Sequence, residues 1–435
     1  MALRRLDLRG RTGDRRALRR ELPAPAGNPE ADAAQVADIL AEVRREGDAA
    51  LRRLTERFDG VRVDELRVPE AEGEAALRRV PAALRRALEV AHDRIAAYHA
   101  HEAAAPASEF RSDGIAVRHL VRPVGRAGCY APGGRARYPS TVLMTAVPAR
   151  VAGVGEVVLC VPPGPDGRID DASLAAAALA GVDEVYRVGG AQAIAALAYG
   201  TESIEPVDVV VGPGNRYVAE AKRQVSGAVG VSSAFAGPSE VVVVADAAAP
   251  ADLCAIDLLV QAEHGPDGLA WLVTWSEEVA RSVDREVDRL VAGSARRSDL
   301  ESTLASGGYA VIVDGPEQAA AVIDVVAPEH LELVVDPDVA ESLLASVSSA
   351  GAVFVGPWSP ASVGDYLAGP NHVLPTNRTA RFASALRVDD FRRHSHVVTV
   401  ERPALDELGP SVVTLAECEG LPAHAESVRR RQGRP

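Results

Sequence analysis

Hydrophobic and polar positions follow two different rhythms along the chain. Residues 33–58 and 68–103 are rich in Ala, Leu, Arg and Glu, and their apolar positions recur every three or four residues, which predicts helices. After Gly114, short apolar runs alternate with helical segments of small residues. Strands that alternate with helices at this spacing indicate a parallel sheet with crossover helices.

This βα pattern occurs in two modules. The first covers residues 131–236 and contains the strands EVYRVGG and VDVVVGPG. The second begins at SEVVVVAD, Ser239–Asp246, and continues through the strands LAWLVTW, YAVIVDG, LELVVD and AVFVGP. Beyond residue 386 the sequence is polar and rich in arginine, so we expect an appendage there rather than a segment with its own core.

Composition narrows the classes of function. The chain has 435 residues, and 61 acidic against 47 basic side chains give a formal charge of −14, which argues against a nucleic-acid-binding surface and favours small-molecule partners. No apolar run is long enough to predict a membrane span, and the N-terminus has no apolar signal-peptide core. Cys129, Cys160, Cys254 and Cys418 are widely spaced, so neither a disulfide framework nor a thiolate zinc site is indicated, and we expect a reducing cytoplasm.

Glycine clusters stand at several predicted strand ends. They are Gly133-Gly134, Gly189-Gly190 and the Gly-Pro-Gly-Asn of 212–215, and each could let the backbone approach a ligand at the carboxyl edge of a sheet. The GxGxxG fingerprint of dinucleotide binding is absent. On spacing alone, each cluster is more often a turn.

The segment LLVQAEHG holds a first pair of chemically active residues. Gln261 and His264 lie three residues apart near the end of a predicted helix and share one face, so an amide oxygen and an imidazole nitrogen could bind zinc. Taken alone, the pattern favours a polar helix end at which His264 complements the terminal carbonyls.

Further polar pairs occur in loops and in the tail. Glu329 and His330 in APEHLEL could activate water and move protons near neutral pH, although a surface Glu-His pair is commonplace. Asp365 and His372 lie in a loop rich in glycine and proline directly after a strand. Glu419 and His424 lie in EGLPAHAESV near the C-terminus, where both are ordinarily surface groups.

In series, these segments resemble the histidinol dehydrogenase family nearly from end to end. The most specific motifs are YAPGGRARYPSTVLM, VGGAQAIAALAYGTESI, VGPGNRYVAEAK, AGPSEVVVVAD, DLLVQAEHGPD, APEHLEL, GDYLAGPNHVLPT and EGLPAHAESV. The resemblance implies a zinc-dependent oxidation of L-histidinol through L-histidinal to L-histidine with two NAD, the last step of histidine biosynthesis.

The resemblance also implies residue roles. Glu329 falls on the position that activates water, and His330 falls on the general base. The implied metal ligands are Gln261, His264, Asp365 and His424. The implied NAD-binding positions are Tyr130, Gln192 and Asn215. The implied substrate-binding positions are Ser239, Gln261, His264, His330, Asp365, His372, Glu419 and His424.

The implied fold is α/β, with two incomplete Rossmann-like βα domains, a helical N-terminal segment and a small C-terminal tail domain. The expected division is an N-terminal arm at 1–30, a zinc and substrate domain at 31–130 and 237–385, an NAD-binding domain at 131–236, and a tail at 386–435. The resemblance also implies a homodimer in which the tail of one subunit reaches the active site of the other. We therefore expect Glu419 and His424 to act in the partner's active site.

Two other functions stay open, as does one alternative mechanism. VSSAF stands before AGPSE where the family usually has an Ile-Asp pair, so a related enzyme that oxidises another amino or sulfonated alcohol is an alternative. A zinc-binding protein without redox activity, or a zinc hydrolase, is another. Aldehyde oxidation through a cysteine thiohemiacetal would require a nucleophile such as Cys129 or Cys254.

Overall fold

Three sheets and their covering helices make up the part of the chain that the computed structural model describes, residues 3–11, 14–23, 29–104, 109–133, 137–232, 239–263 and 268–432. The strands are β1 (Arg4–Asp7), β2 (Glu109–Ser112), β3 (Ile115–Pro123), β4 (Arg126–Tyr130), β5 (Glu156–Val161), β6 (Glu184–Arg187), β7 (Val209–Val211), β8 (Gly230–Val231), β9 (Glu240–Ala245), β10 (Leu269–Thr274), β11 (Gly308–Ile312), β12 (His330–Val334), β13 (Ala352–Val355) and β14 (Arg392–Val400). The helices are α1 (Arg15–Glu21), α2 (Pro29–Asp59), α3 (Ala71–Arg79), α4 (Ala82–Ala103), α5 (Pro139–Ala152), α6 (Asp171–Leu179), α7 (Gly190–Tyr199), α8 (Arg216–Val225), α9 (Ala251–Ala262), α10 (Glu277–Gly293), α11 (Arg297–Gly307), α12 (Pro316–Val326), α13 (Pro337–Ser346), α14 (Ala361–Tyr366), α15 (Arg402–Cys418) and α16 (Pro422–Gln432).

The larger sheet has six parallel strands in the order β1-β11-β10-β9-β12-β13. Its central strand β9 reads EVVVVA and is buried along its whole length. A nearly unbroken apolar run is typical of a parallel strand that is covered on both faces. Apolar cores accordingly lie on both sides, one beneath α9 and α10 and the other beneath α1, α12 and α13.

The second sheet has five parallel strands in the order β6-β5-β4-β7-β8. The long N-terminal helices cover it: α2 packs on α7 and α8, α3 packs on α6, and α4 packs on α5. The predicted helix over 68–103 is divided at Pro81, because a proline disfavours helical backbone in the residue before it and Val80 is extended. The predicted α/β class with two parallel sheets is confirmed.

Elements are distributed over the two sheets differently from the predicted ranges. Helices α3 and α4, strand β4 and nearly all of α2 lie within 31–130, yet they pack with the five-stranded sheet and its helices rather than with the larger sheet. Residues 4–7, predicted as part of an arm, form the edge strand β1, which pairs with β11. Position in the sequence does not decide which sheet a helix covers, because that depends on the face it buries. The division into domains itself stays a prediction.

A third, antiparallel sheet joins two segments that are distant in sequence. β3 lies between β2 and β14, and β14 pairs with it from Arg392↔Pro123 to Val400↔Ile115. The hairpin of α15 and α16 follows β14, and its two helices pack mainly on each other. In the described ranges, no helix is both long and apolar enough to cross a membrane.

Candidate active site

Glu329 and His330 lie at the amino end of β12, beside the amino end of β9. Helix α12 ends at Ala327, whose left-handed backbone (φ 47°) turns the chain through Pro328 into the strand. The Glu329 carboxylate is buried, and its Oε2 accepts hydrogen bonds from Ser239 Oγ at 2.8 Å and from the Glu240 amide at 3.1 Å. These two donors fix the carboxylate at the edge of the sheet.

The His330 imidazole is buried between two polar side chains. Its Nδ1 lies 3.0 Å from Gln261 Nε2 on α9, and its Nε2 lies 3.4 Å from Asp365 Oδ1 on α14. Because an amide nitrogen only donates, Nδ1 accepts from Gln261, and the neutral ring carries its proton on Nε2, towards Asp365. The ring stacks on Phe354 of β13 with centroids 6.0 Å apart. Three separate elements therefore orient one imidazole.

Charge around the His330 ring controls its protonation. Burial alone would lower the pKa of the imidazole, but the Glu329 carboxylate, 3.7 Å from Nδ1, and the hydrogen-bonded Asp365 outweigh burial and raise the pKa from 6.5 to about 9. Protonation of Nδ1 would require the Gln261 amide to turn so that its oxygen accepts, and neutralising either carboxylate would lower the pKa of the imidazole again.

Of the proposed metal ligands, Gln261 and Asp365 are brought together around His330. Gln261 is buried, and its Oε1 has no hydrogen-bond partner among the described residues, which leaves one oxygen available to a cation. His264 lies outside the described residues. His424 lies exposed on α16, and none of the hydrogen bonds or ion pairs found in the described chain joins it to this cluster. No group of three or more His, Cys, Asp or Glu in the described ranges could by itself hold a metal ion.

The proposed substrate-binding residues divide into two groups. His372 contacts the Asp365 carbonyl oxygen through Nδ1 at 2.8 Å and the Thr141 hydroxyl of α5 through Nε2 at 3.2 Å, so it belongs to the same neighbourhood. Ser239 belongs there too, through Glu329. Glu419, like His424, is exposed in the α15–α16 hairpin.

A cleft of 1250 Å³ runs beside this cluster, between the helices of the two parallel-sheet layers. Asp365 and Tyr366 of α14, Leu259 of α9, Leu88 of α4 and Leu143 of α5 are on its walls. The cleft gives a small molecule a route to the Asp365 side of the site.

The proposed NAD-binding residues lie at the carboxyl edge of the five-stranded sheet. Tyr130 ends β4, and its hydroxyl accepts a hydrogen bond from the Gly190 amide at 3.1 Å. Gln192 in the first turn of α7 is buried, and neither of its amide atoms has a partner among the described residues. Asn215 is exposed and caps α8, with Oδ1 accepting from the Tyr217 and Val218 amides.

The glycine-rich loop after β7 is held very close to β4. Gly212 has φ +110°, and a Cβ at this position would lie 2.0 Å from the Tyr130 carbonyl oxygen. Lys222 of α8 is buried and donates from Nζ to the Gly212 carbonyl at 2.6 Å. Burial lowers the pKa of this ammonium group from 10.5 to about 8.

The sequence did not point to three acidic residues near these sites, of which Glu332 is buried and Asp59 and Asp257 are partly buried. Asp59 at the end of α2 borders a second cleft of 680 Å³ beside Gly133, and burial raises the pKa of its carboxyl to about 6. Buried Glu332 and partly buried Asp257 form a coupled carboxyl pair near His330. For Glu332 a signal was present, since it lies two residues after His330 on a predicted strand and so shares its face.

The cysteines do not resemble nucleophiles. Cys129 and Cys254 are buried, and burial raises the pKa of both thiols to about 12. A thiol with that pKa is almost wholly protonated near neutral pH, and the thiolate is the reactive form.

Comparison with known proteins identifies the family. The family model for histidinol dehydrogenase matches residues 24–432. The histidinol dehydrogenase of Parasynechococcus marenigrum (strain WH8102) is 50% identical over 393 residues, 90% of this chain and 89% of that protein. That of Prochlorococcus marinus (strain MIT 9313) is 48% identical over 423 residues, 96% of this chain and 95% of that protein. The crystal structure of histidinol dehydrogenase from Elizabethkingia anophelis superposes with a TM-score of 0.92 at 34% identity, covering 99% of this chain and 98% of that one. This chain therefore belongs to the histidinol dehydrogenase family.

Proposed function

We propose that this protein oxidises L-histidinol through L-histidinal to L-histidine with two NAD and one zinc ion per subunit, the last step of histidine biosynthesis. The observation that carries the proposal is the buried His330 imidazole, which lies between Gln261 and Asp365 and within 3.7 Å of the Glu329 carboxylate. Family membership supplies the substrate.

Zinc would be held by Gln261 and Asp365 together with His264 and His424. The unpartnered, buried Oε1 of Gln261 supports this assignment, and a set of nitrogen and oxygen donors suits zinc. When bound, the metal would supply Lewis-acid polarisation and orientation of the substrate, because zinc has no redox chemistry. A cation beside Asp365 would also reduce the negative charge that raises the pKa of His330.

His330 and Glu329 would carry out the proton transfers. His330 accepts the hydroxyl proton of histidinol while the substrate gives up hydride to NAD, which supplies the hydride acceptor when bound. An aldehyde has no hydroxyl proton to lose, so a second hydride transfer requires the hydrate. Glu329, held by Ser239 and the Glu240 amide, would take a proton from the water that adds to the aldehyde, while protonated His330 would return its proton to the aldehyde oxygen. His330, neutral again, would then accept a hydroxyl proton of the hydrate as the second hydride leaves.

Tyr130, Gln192 and Asn215 would hold NAD at the carboxyl edge of the five-stranded sheet. Support comes from the two unpartnered amide atoms of Gln192, which can both donate and accept, and from the close approach of the Gly212 loop to β4. The proton-transfer pair lies at the amino edge of the other sheet, so hydride transfer would take place between the two sheets.

The active site would be completed in a homodimer. Glu419 and His424 are exposed in the α15–α16 hairpin, whereas their proposed partners lie around His330, so a second copy would supply the tail. Exposed apolar side chains on the hairpin and the neighbouring antiparallel sheet, including Leu415 and Val398, support burial by a partner copy. The cytoplasmic location stays a prediction from the cysteine pattern.

A substrate comparison tests this function against its alternatives. Zinc-loaded protein and NAD are supplied with L-histidinol, with other amino alcohols and with sulfonated alcohols, and the rate of NADH formation is compared. The proposal expects kcat/KM to be highest for L-histidinol. A higher value for another alcohol would identify a related enzyme, and failure to bind NAD in calorimetry would favour a zinc protein without redox activity.

A further inference from the structure

A pair of carboxyl groups lies directly behind the His330 imidazole. Glu332 follows His330 by two residues on β12, so its side chain lies on the same face of the sheet. Asp257 precedes Gln261 by four residues on α9, so it lies one turn away on the same helix face. His330 therefore has an acidic neighbour on its own strand, Glu332, and Gln261 has an acidic neighbour on its own helix, Asp257.

Glu332 reaches the start of α14. Its Oε1 accepts a hydrogen bond from the Ala361 amide at 2.8 Å, and both groups are buried. The residue before the helix, Pro360, makes no side-chain capping bond. Glu332 therefore supplies from a distant strand the acceptor that a capping residue normally provides. Asp365 lies one helical turn after Ala361.

The middle of α14 also rests on an aromatic ring. A Cβ added at Gly364 would lie 2.5 Å from Phe354 Cε1, so the helix backbone approaches the ring directly. Phe354 pairs with Glu332 across β12 and β13, and it stacks on His330. A short helix is thus held at its first residue by a carboxyl group and along its side by a ring.

The Asp257 carboxyl is the acidic neighbour of the Glu332 carboxyl. The two carboxyl groups lie within hydrogen-bonding reach, and such a bond requires one of them to be protonated. Burial, and then the Asp257 charge, raise the pKa of Glu332 to about 8, and burial raises the pKa of Asp257. Both shifts favour the protonated form that such a bond needs.

We propose that Glu332 is a positioning residue, which holds the first residue of α14 and so fixes Asp365 against His330. Loss of the Glu332 carboxyl would leave the Ala361 amide without its acceptor and free the start of a six-residue helix. The expected effect on turnover rests on the proposed function, whereas the expected effect on α14 does not.

The test compares Glu332→Ala with Glu332→Gln. The glutamine can still accept a hydrogen bond from the Ala361 amide and can donate one to an ionised Asp257. It should therefore keep both interactions, which the alanine variant loses. Asp246→Ala is the matched control, because Asp246 is also a buried carboxylate that accepts a backbone amide at the start of a helix region, from Asp336, but at the opposite edge of the sheet. This variant shows the general effect of losing a buried carboxylate that accepts a hydrogen bond from a backbone amide.

Three quantities are measured on each full-length variant: amide hydrogen exchange in α14, zinc retained after dialysis against a chelator, and kcat and KM with L-histidinol and NAD. Glu332→Ala should exchange the Ala361 amide roughly tenfold faster or more, retain less zinc and lose roughly tenfold or more in kcat, with KM for NAD little changed. Glu332→Gln and Asp246→Ala should match the parent protein in all three.

The inference is overturned if α14 exchanges at the same rate in Glu332→Ala and the parent protein. It is equally overturned if Glu332→Gln is as impaired as Glu332→Ala, or if Asp246→Ala loses as much kcat. A parent protein that forms no NADH from L-histidinol would overturn the proposed function instead, and the exchange rates would still decide the role of Glu332.

Discussion

Lys222 is the single lysine of the chain, and its burial predicts a distinctive dependence of stability on pH. Its ammonium group donates to the Gly212 carbonyl, and burial lowers its pKa from 10.5 to about 8. The perturbation is Lys222→Met, which keeps an unbranched side chain and removes the titrating group. Because no other lysine is present, the change removes all lysine titration from the protein.

The size of the effect follows from the two pKa values. Between pH 8 and pH 10.5 the unfolded chain binds more protons at this residue than the folded chain does, so the free energy of unfolding rises with pH. Below about pH 8 both states are protonated, and the cost of burying the charge is fully present. At about 1.4 kcal/mol per pH unit, the complete effect is about 3 kcal/mol, of which about 2 kcal/mol develops between about pH 7 and about pH 9.5.

The assay is equilibrium unfolding in urea at several pH values and one fixed protein concentration, which removes any contribution from association. Tyrosine and cysteine groups titrate in the same window, but they are common to both proteins. The difference in unfolding free energy between the parent protein and Lys222→Met therefore isolates Lys222. We expect this difference to shift in favour of the parent protein by about 2 kcal/mol between about pH 7 and about pH 9.5.

A difference that stays constant across this range would refute the reasoning, because it would mean that the folded ammonium group keeps its ordinary pKa. A shift in the opposite direction would mean that folding stabilises the charged form of Lys222.

Three further predictions concern the cofactor loop, the cysteines and the dimer. Gly212→Ala should abolish NAD binding measured by calorimetry, because its Cβ would meet the Tyr130 carbonyl, whereas Gly227→Ala, with a similar φ of +99° and open space around it, should keep NAD binding. Replacing either of the two buried cysteines discussed above by serine should leave both oxidation steps intact; loss of the second step alone, measured as NADH formed from L-histidinal, would establish a thiohemiacetal mechanism. Equal amounts of inactive Glu329→Gln and inactive His424→Ala chains should regain about a quarter of the parent activity after subunit exchange, since half of the dimers would then contain one intact site; no regain would contradict a site shared between subunits.

The parallel sheets could be predicted from the sequence because their strands are buried on both faces and alternate with helices. The antiparallel sheet could not, because β3 and β14 are separated by more than half of the chain and their side chains are exposed or only partly buried. Such strands show little apolar periodicity, and no local pattern identifies their partner. The pairing of the tail strand β14 with β3 therefore depends on residues far apart in the sequence.

The family motifs propose the residues of the candidate site one by one, but they do not give its geometry. Gln261 and His330 are 69 positions apart, and their contact depends on the packing of α9 against the sheet. The general rule for open α/β sheets places ligands at the carboxyl ends of strands, yet Glu329 and His330 lie at an amino edge. The role of Glu332 in holding α14 likewise follows only from the fold, because Ala361 is 29 positions away.

The number of NADH molecules formed per L-histidinol consumed shows whether this protein carries out both oxidations. Zinc-loaded protein, excess NAD and a limiting amount of L-histidinol are allowed to react to completion, and NADH and L-histidine are quantified. We expect two NADH and one L-histidine for each L-histidinol. One NADH with L-histidinal as the product, or no NADH at all, would contradict it.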